Sequence, residues 1–402
     1  MTMPKPYFFF RPLLAKNHTW AAFDWQTDKP ETADAADFTR CFGESGAAQL
    51  ANTMPLVLST QPSWLVQSEF IQKFDANQAI FVLSASALDD QANIDQCKTL
   101  RKQGRHCALQ VTSTESIRQI PVTAFDYLQF DTGFARHQLP ASELLYASDA
   151  GFRKIARAVD SHEQFDWLVA KRFDLCDSGF ITVFDPGTGK EPDLTRLKLL
   201  KLLSLVAQDA DTHDIEEIFR EEPKLSYNLL RLVNSVAVGA KTSIGSFHQA
   251  IAILGRRQLQ RWLQLLIYAN QLAQVNVPNP LMQLAAARGR QMELLVGAME
   301  PAIDIPEFGD TAFMTGIFSL LDVLLNLPMN VIIDALPLQA DIHDALSSRQ
   351  GVLGHLLNAI TSSESGDFAG ASETLAQVGI SPARHAIAQT AAFFWASRIN
   401  LE

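Results

Sequence analysis

A change of period partway along the chain restricts its fold more than any other feature. Up to Phe184, short runs rich in aromatic and β-branched residues alternate with amphipathic stretches, whereas beyond Asp193 apolar residues recur at three- and four-residue steps. Pro6–Arg11, Trp20–Trp25, Pro55–Ser59, Ala79–Ser84, His106–Val111, Phe125–Asp131, Gly151–Val159 and Gly179–Phe184 are expected strands. Between them Glu31–Leu50, Ser63–Phe74, Leu88–Gln103, Thr132–Tyr146 and His162–Cys176 have helical spacing. Such alternation predicts an α/β fold with a largely parallel sheet, and about eight strands favour a closed barrel over an open sheet. The stretch DPGTGKEPD, Asp185–Asp193, is the expected linker.

The second half reads as helices throughout. In Phe219–Leu263, Pro223 opens a helix whose apolar face is Leu225, Leu229, Leu230 and Val233. Ser246 and Gln249 form a capping box, and Gly255 supplies a left-handed stop before a helix from Arg257. There Leu259, Trp262, Leu263 and Leu266 continue the apolar face. Further helices are expected from Pro280 to about Met299, from Asp310 as a cap, and over Met329–Leu336, Asp341–Leu346, Gly351–Ile360, Asp367–Val378 and Pro382–Ile399.

A formal net charge of −11 argues against a broad nucleic-acid or anionic-lipid footprint. Cys41, Cys97, Cys107 and Cys176 show no Cys-x-x-Cys spacing, no run is apolar enough to span a bilayer, and a cytoplasmic protein with free thiols is expected.

The runs EEPKLSYNLLRLVNS and SIGSFHQAIAILGRRQLQRWL resemble the signature of the HDOD domain, a helical signalling module related to HD-type metal phosphohydrolases but lacking their ligands. The first half resembles the EAL domain, a barrel whose active members hydrolyse cyclic di-GMP. The matching segments are FFFRPLLAKNHTWAAFDWQ, LRKQGRHCALQVT, FDYLQFDTG and KIARAVDSHEQFDWLVAKRFDLCDSGF. The resemblance implies an α/β plus all-α chain, with a degenerate (β/α)8-like EAL barrel at residues 1–186 and a helical HDOD domain at 191–402.

EAL hydrolysis uses a pair of divalent cations held at strand ends, and the departures fall on those positions. Trp25 and Gln26 stand near the first glutamate, and Arg11 replaces the Gln before Pro. Gln110 and Val111 occupy an Asp-Asp pair, Gln129 replaces a lysine, Arg157 replaces a late glutamate, and Ser178, Gly179 and Phe180 replace Gln-Gly-Tyr. Asp131 is the residual family carboxylate. The expectation is a catalytically inactive barrel with no cofactor or metal, in a protein acting by contact with other signalling proteins or with itself. Cyclic di-GMP binding is counted against, and a receptor or a working phosphodiesterase stand as alternatives. Arg256, Arg257 and Arg261 are the candidate partner-binding residues, weighed against a solvated face or an intrachain ion pair. Asp89 and Asp90 fit the start of a helix, His106 with Cys97 and Cys107 fits no zinc spacing, and the dipeptides at His213 and His343 stand away from the HD position, where this chain has Ser319 and Leu320.

Overall fold

The computed structural model describes residues 5–114, 117–183, 256–269, 279–303, 305, 307–334, 336 and 338–399. The expected linker, most of Phe219–Leu263 and the dipeptide at His213 lie outside the described residues.

Eight strands close into a barrel in sequence order: β1 (Phe8–Leu14), β2 (Trp20–Thr27), β3 (Leu56–Ser59), β4 (Ala79–Leu83), β5 (His106–Val111), β6 (Tyr127–Asp131), β7 (Arg153–Arg157) and β8 (Leu175–Asp177). β1 is antiparallel to β2 and β8, and every other neighbouring pair is parallel. The reason is the length of the first connection. Between Leu14 and Trp20 the chain has room only for a hairpin, closed by Ala15 N to Thr19 O at 2.8 Å with His18 at φ 64°, whereas parallel strands need a crossover. Leu13, Ala22, Val57, Ile80, Ala108, Tyr127, Ile155 and Leu175 fill the interior. Outside it, Trp25 stacks on Phe10 at 5.4 Å and meets Phe38 edge-on at 4.9 Å.

Local breakers divide the expected helices. Gly46, at φ 86°, separates α1 (Ala35–Glu44) from α2 (Ala47–Ala51). Ser63–Phe74 becomes α3 (Pro62–Leu65) and α4 (Ser68–Ile71). Asp90 caps α5 (Gln91–Lys102) by accepting from Ala92 N, and Pro140 parts α6 (Thr132–His137) from α7 (Ala141–Asp149). The eighth strand requires a correction. α8 (His162–Ala170) stops early, Arg172 takes φ 60°, and Leu175–Asp177 pairs with β7 and β1, while Gly179–Thr182 forms a 3₁₀ turn. Three residues are too few to display a period of two, so β8 was indistinguishable from a helix end.

The chain divides into a barrel unit, residues 1–181 with Ser363–Ser372 and Ser381–Thr390, and a helical unit, residues 182–362 with Glu373–Ile380 and Ala391–Glu402. The expected division at residues 186–191 therefore misses two late segments that pack with the barrel. The cause lies in β1. It meets β8 only through Leu13 and Leu14, and Pro12 has no N–H to offer along that edge. Gln389 fills the gap: its Oε1 accepts from Phe10 N at 3.0 Å and its Nε2 donates to Phe10 O at 3.5 Å. One helical turn earlier, His385 hydrogen-bonds the Phe8 backbone. Four residues of helix rise about 6 Å and two residues of strand about 7 Å, so two side chains of one helix face reach two successive edge positions of a strand.

In the helical unit, Asn279 caps Pro280–Gly297 by accepting from Leu281 N at 3.0 Å and Met282 N at 3.3 Å. That helix crosses Phe308–Phe318 at a glycine pair, where a Cβ on Gly316 would lie 2.6 Å from the Gly289 backbone. Asp310 is not the cap expected of it: the helix starts at Phe308, and the Asp310 carboxylate accepts from Arg261 instead. Trp262 is buried against Trp395 at 5.8 Å. Among the described residues no helix is long and apolar enough to cross a membrane.

Candidate site at the C-terminal rim of the barrel

Period-two alternation carries the interior outward to a polar rim. Beyond Ile155 on β7 the next inward residue is Arg157; beyond Leu175 it is Asp177; beyond Ala22 come Asp24 and Gln26; beyond Ala108 comes Gln110; and beyond Tyr127 come Gln129 and Asp131. Because β1 runs the other way, Leu13 is followed at this end by Arg11 and Phe9. The register joins Arg11 to Asp24, Gln110 to Gln129 and Asp131 to Arg157.

The centre of the rim is a cluster of two guanidinium groups and two carboxylates. Asp24 is fully buried, and its Oδ2 accepts from Arg11 Nη2 at 2.9 Å and Arg157 Nη2 at 2.5 Å. Its Oδ1 meets Arg157 Nη1 at 2.5 Å and Gln26 Nε2 at 2.8 Å. Asp177 lies 3.4 Å from Arg157 Nε and accepts from Ala158 N at 2.8 Å. Burial alone would raise the Asp24 pKa, but the charge and hydrogen bonds of Arg157, then Arg11 and Gln26, outweigh it and hold the group at about 2. The two arginine side chains keep 17% and 18% of their surface exposed, whereas Asp24 keeps none. Arg11 Nε is buried without a hydrogen-bond partner.

Arg11, Gln110, Gln129, Asp131 and Arg157, singled out in the sequence, all fall on inward strand positions at this rim. Asp131 is exposed and caps α6, its Oδ1 accepting from Phe134 N at 2.9 Å. Trp25 and Val111 point outward and are buried, and Asp24 and Asp177 were missed. Strict alternation from Ala22 places Asp24 and Gln26 inward and Trp25 outward, since one residue along a strand exchanges the two faces. The carboxylates present do not fit a pair of divalent cations, since Asp24 and Asp177 already hold guanidinium groups. Among the described residues no group of three or more His, Cys, Asp or Glu side chains is placed to share an ion.

Of the arginines named as partner contacts, Arg261 is turned inward. Its Nη2 bonds Glu293 Oε1 and Asp310 Oδ1, each at 2.5 Å, and its guanidinium lies 5.0 Å from the centre of the Phe313 ring. Arg256 and Arg257 open the helix Arg256–Ala269, but their side chains lie outside the described residues. At the HD position, Ser319 Oγ accepts from buried Arg288 Nη1 at 2.9 Å and donates to Gly316 O at 2.7 Å. His343 and Asp344 lie exposed on Ala340–Ser348. His106 pairs with Asp126 at 3.4 Å.

Comparison with known proteins adds to this geometry. The HDOD domain family matches residues 195–317. A Vibrio cholerae protein named cyclic di-GMP phosphodiesterase CdgJ is 30% identical over 171 residues, 42% of this chain and 38% of that protein, so the match spans well under two-thirds of its length. The uncharacterised Bacillus subtilis protein YuxH is 22% identical over 319 residues, 77% of this chain and 76% of that one. Among solved structures, the FimX EAL domain of Pseudomonas aeruginosa, bound to c-di-GMP, is 11% identical at a TM-score of 0.35, over 44% of this chain and 89% of that one. The EAL enzyme Bd1971, in its cGMP-bound form, is also 11% identical, at a TM-score of 0.36, over 43% of this chain and 60% of that one.

The expectation of a non-catalytic interaction module, with cyclic di-GMP counted against, does not stand beside a relative named as a phosphodiesterase. Its physical basis is also incomplete, because beside Trp25 and Gln26 stands the inward carboxylate Asp24. The chain thus joins an eight-stranded barrel whose first strand runs against the rest to a segment, residues 195–317, that matches the HDOD domain family.

Proposed function

We propose that the barrel takes cyclic di-GMP at its C-terminal rim. The carrying observation is the pair of half-buried guanidinium groups, Arg11 and Arg157, at the open end of the barrel, with Arg11 Nε keeping a donor that no protein group accepts. Planar guanidinium groups suit the paired oxygens of a phosphodiester. Gln26, Gln110 and Gln129 on the same rim add amides that can both donate and accept, as guanine edges require. The phosphodiesterase name of the Vibrio cholerae relative supports the choice of ligand.

Titration calorimetry of the full chain with cyclic di-GMP, with and without magnesium, tests the reading. A saturable isotherm that weakens in Gln110→Ala is expected, and a flat isotherm from folded protein refutes it. The same relative favours a second reading, hydrolysis of that ligand. Incubation in magnesium or manganese and chromatography for the linear dinucleotide reads it directly, and intact ligand after long incubation rejects it.

A further inference from the structure

The other late segment of the barrel unit reaches the rim. Phe368 lies in Ser363–Ser372 of the barrel unit, and its ring stacks on Phe9 with centroids 5.2 Å apart and planes 24° apart. The same ring lies 5.3 Å from the guanidinium carbon of Arg11. Two residues earlier, Gly366 turns the chain at φ 90°, and a Cβ there would sit 3.5 Å from Arg11 Nη1. Arg11 is thus held on one side by Asp24 through Nη2 and on the other by an aromatic ring and a tight turn. Phe9, which supports that ring, is packed by His385 at 4.9 Å, and the strand bearing both is fixed at Phe10 by Gln389.

We infer that Phe368 is a positioning residue for Arg11, so that the segment Ser363–Ser372 completes the dinucleotide site of the barrel. The inference rests on the proposed function for its ligand, and on geometry alone for the state of Arg11. A guanidinium hydrogen-bonded at one edge can still swing about its long side chain. A ring across its face removes that freedom and lowers the entropy lost when a phosphate is bound. The turn at Gly366 needs a positive φ that other residues rarely adopt, and a Cβ there would lie in ordinary contact with Nη1.

Two measurements on the full chain test this. In calorimetry with cyclic di-GMP, Phe368→Ala is expected to weaken binding by about fivefold, the order of one cation–π contact, and Phe368→Tyr to restore it. In the second, ¹⁵N-arginine NMR without ligand follows the Arg11 Nε–H signal, assigned by its loss in Arg11→Lys. Phe368→Ala is expected to remove its ring-current shift, with the far-UV spectrum unchanged. Failure of the wild type to bind would count against the proposed ligand and leave the NMR result to decide the positioning role. An Arg11 signal that is identical in wild type and Phe368→Ala, or wild-type affinity in Phe368→Ala, would overturn the inference.

Discussion

Asp24→Asn is the substitution for which the structure allows a magnitude. The native carboxylate is fully buried and faces two guanidinium groups, so the amide leaves Arg11 and Arg157 with their positive charges adjacent and uncompensated except by Asp177. Breaking one partner out of a buried ion pair costs about 3–5 kcal/mol. The acid side gives an independent figure. A carboxyl held at about 2 against an ordinary 3.8 contributes roughly 2 kcal/mol at about 1.4 kcal/mol per unit. Because the folded value is the lower one, that contribution is complete above pH 3.8 and is lost as pH falls toward 2. Urea unfolding of wild type and variant, followed by hydrogen exchange of β2 peptides so that the barrel is read separately, measures both. The variant should be less stable by about 3 kcal/mol at pH 7, with the gap narrowing between pH 4 and pH 2. A gap under about 1 kcal/mol at pH 7, or one that does not change with acid, would refute the assignment of Asp24 as the anion that holds the rim together.

Three further outcomes follow from single contacts. Lys154 is fully buried on the outer face of β7, donating to Lys171 O at 2.6 Å and Leu144 O at 3.3 Å, and burial lowers its pKa to about 8. Folding therefore favours its neutral form, so stability should rise as pH climbs from about 8 to the unfolded 10.5, and denaturation midpoints of Lys154→Met should lack that rise. His385, lowered to about 4 by burial despite its bond to the Phe8 backbone, should erode stability as pH falls from 6.5 to 4, and His385→Phe should flatten that limb of a thermal-midpoint profile. Gly316→Ala drives a methyl into the Gly289 backbone and should cost about 2–3 kcal/mol in calorimetric unfolding, whereas Gly43→Ala, on α1 with nothing within 4 Å, should gain roughly 0.5 kcal/mol.

Seven strands and most helices among the described residues are legible because burial on two faces or one stripe imprints a period over four or more residues. What escaped was short or non-local. β8 is too brief to carry a period, and the assignment of Ser363–Ser372 and Ser381–Thr390 to the barrel unit depends on an edge defect at Pro12, far away in sequence. His385 and Gln389 look like the polar residues of any amphipathic helix. Only the unpaired N–H and C=O groups of Phe8 and Phe10 turn their four-residue spacing into a strand substitute.

The charged residues show the same limit more sharply. A sequence reports that Arg157 stands where a carboxylate is expected, but not that the change is answered by Asp24 on the second strand, 133 positions away. Nor does it report that Arg261, apparently one of a basic trio, is committed to Glu293 and Asp310. In both places the cation is half of an arrangement whose other half lies on another element. Substituting the arginine alone tests a buried pair before it tests a surface. The informative variant at Arg261 is consequently the double one, Arg261→Met with Glu293→Gln. If the charges serve only each other, the double variant should recover part of the stability lost by Arg261→Met alone, by about 1 kcal/mol or more in a thermodynamic cycle. A strictly additive cycle would mean that Arg261 and Glu293 do not stabilise each other, and would leave Asp310 and the Phe313 ring as the contacts that turn Arg261 inward.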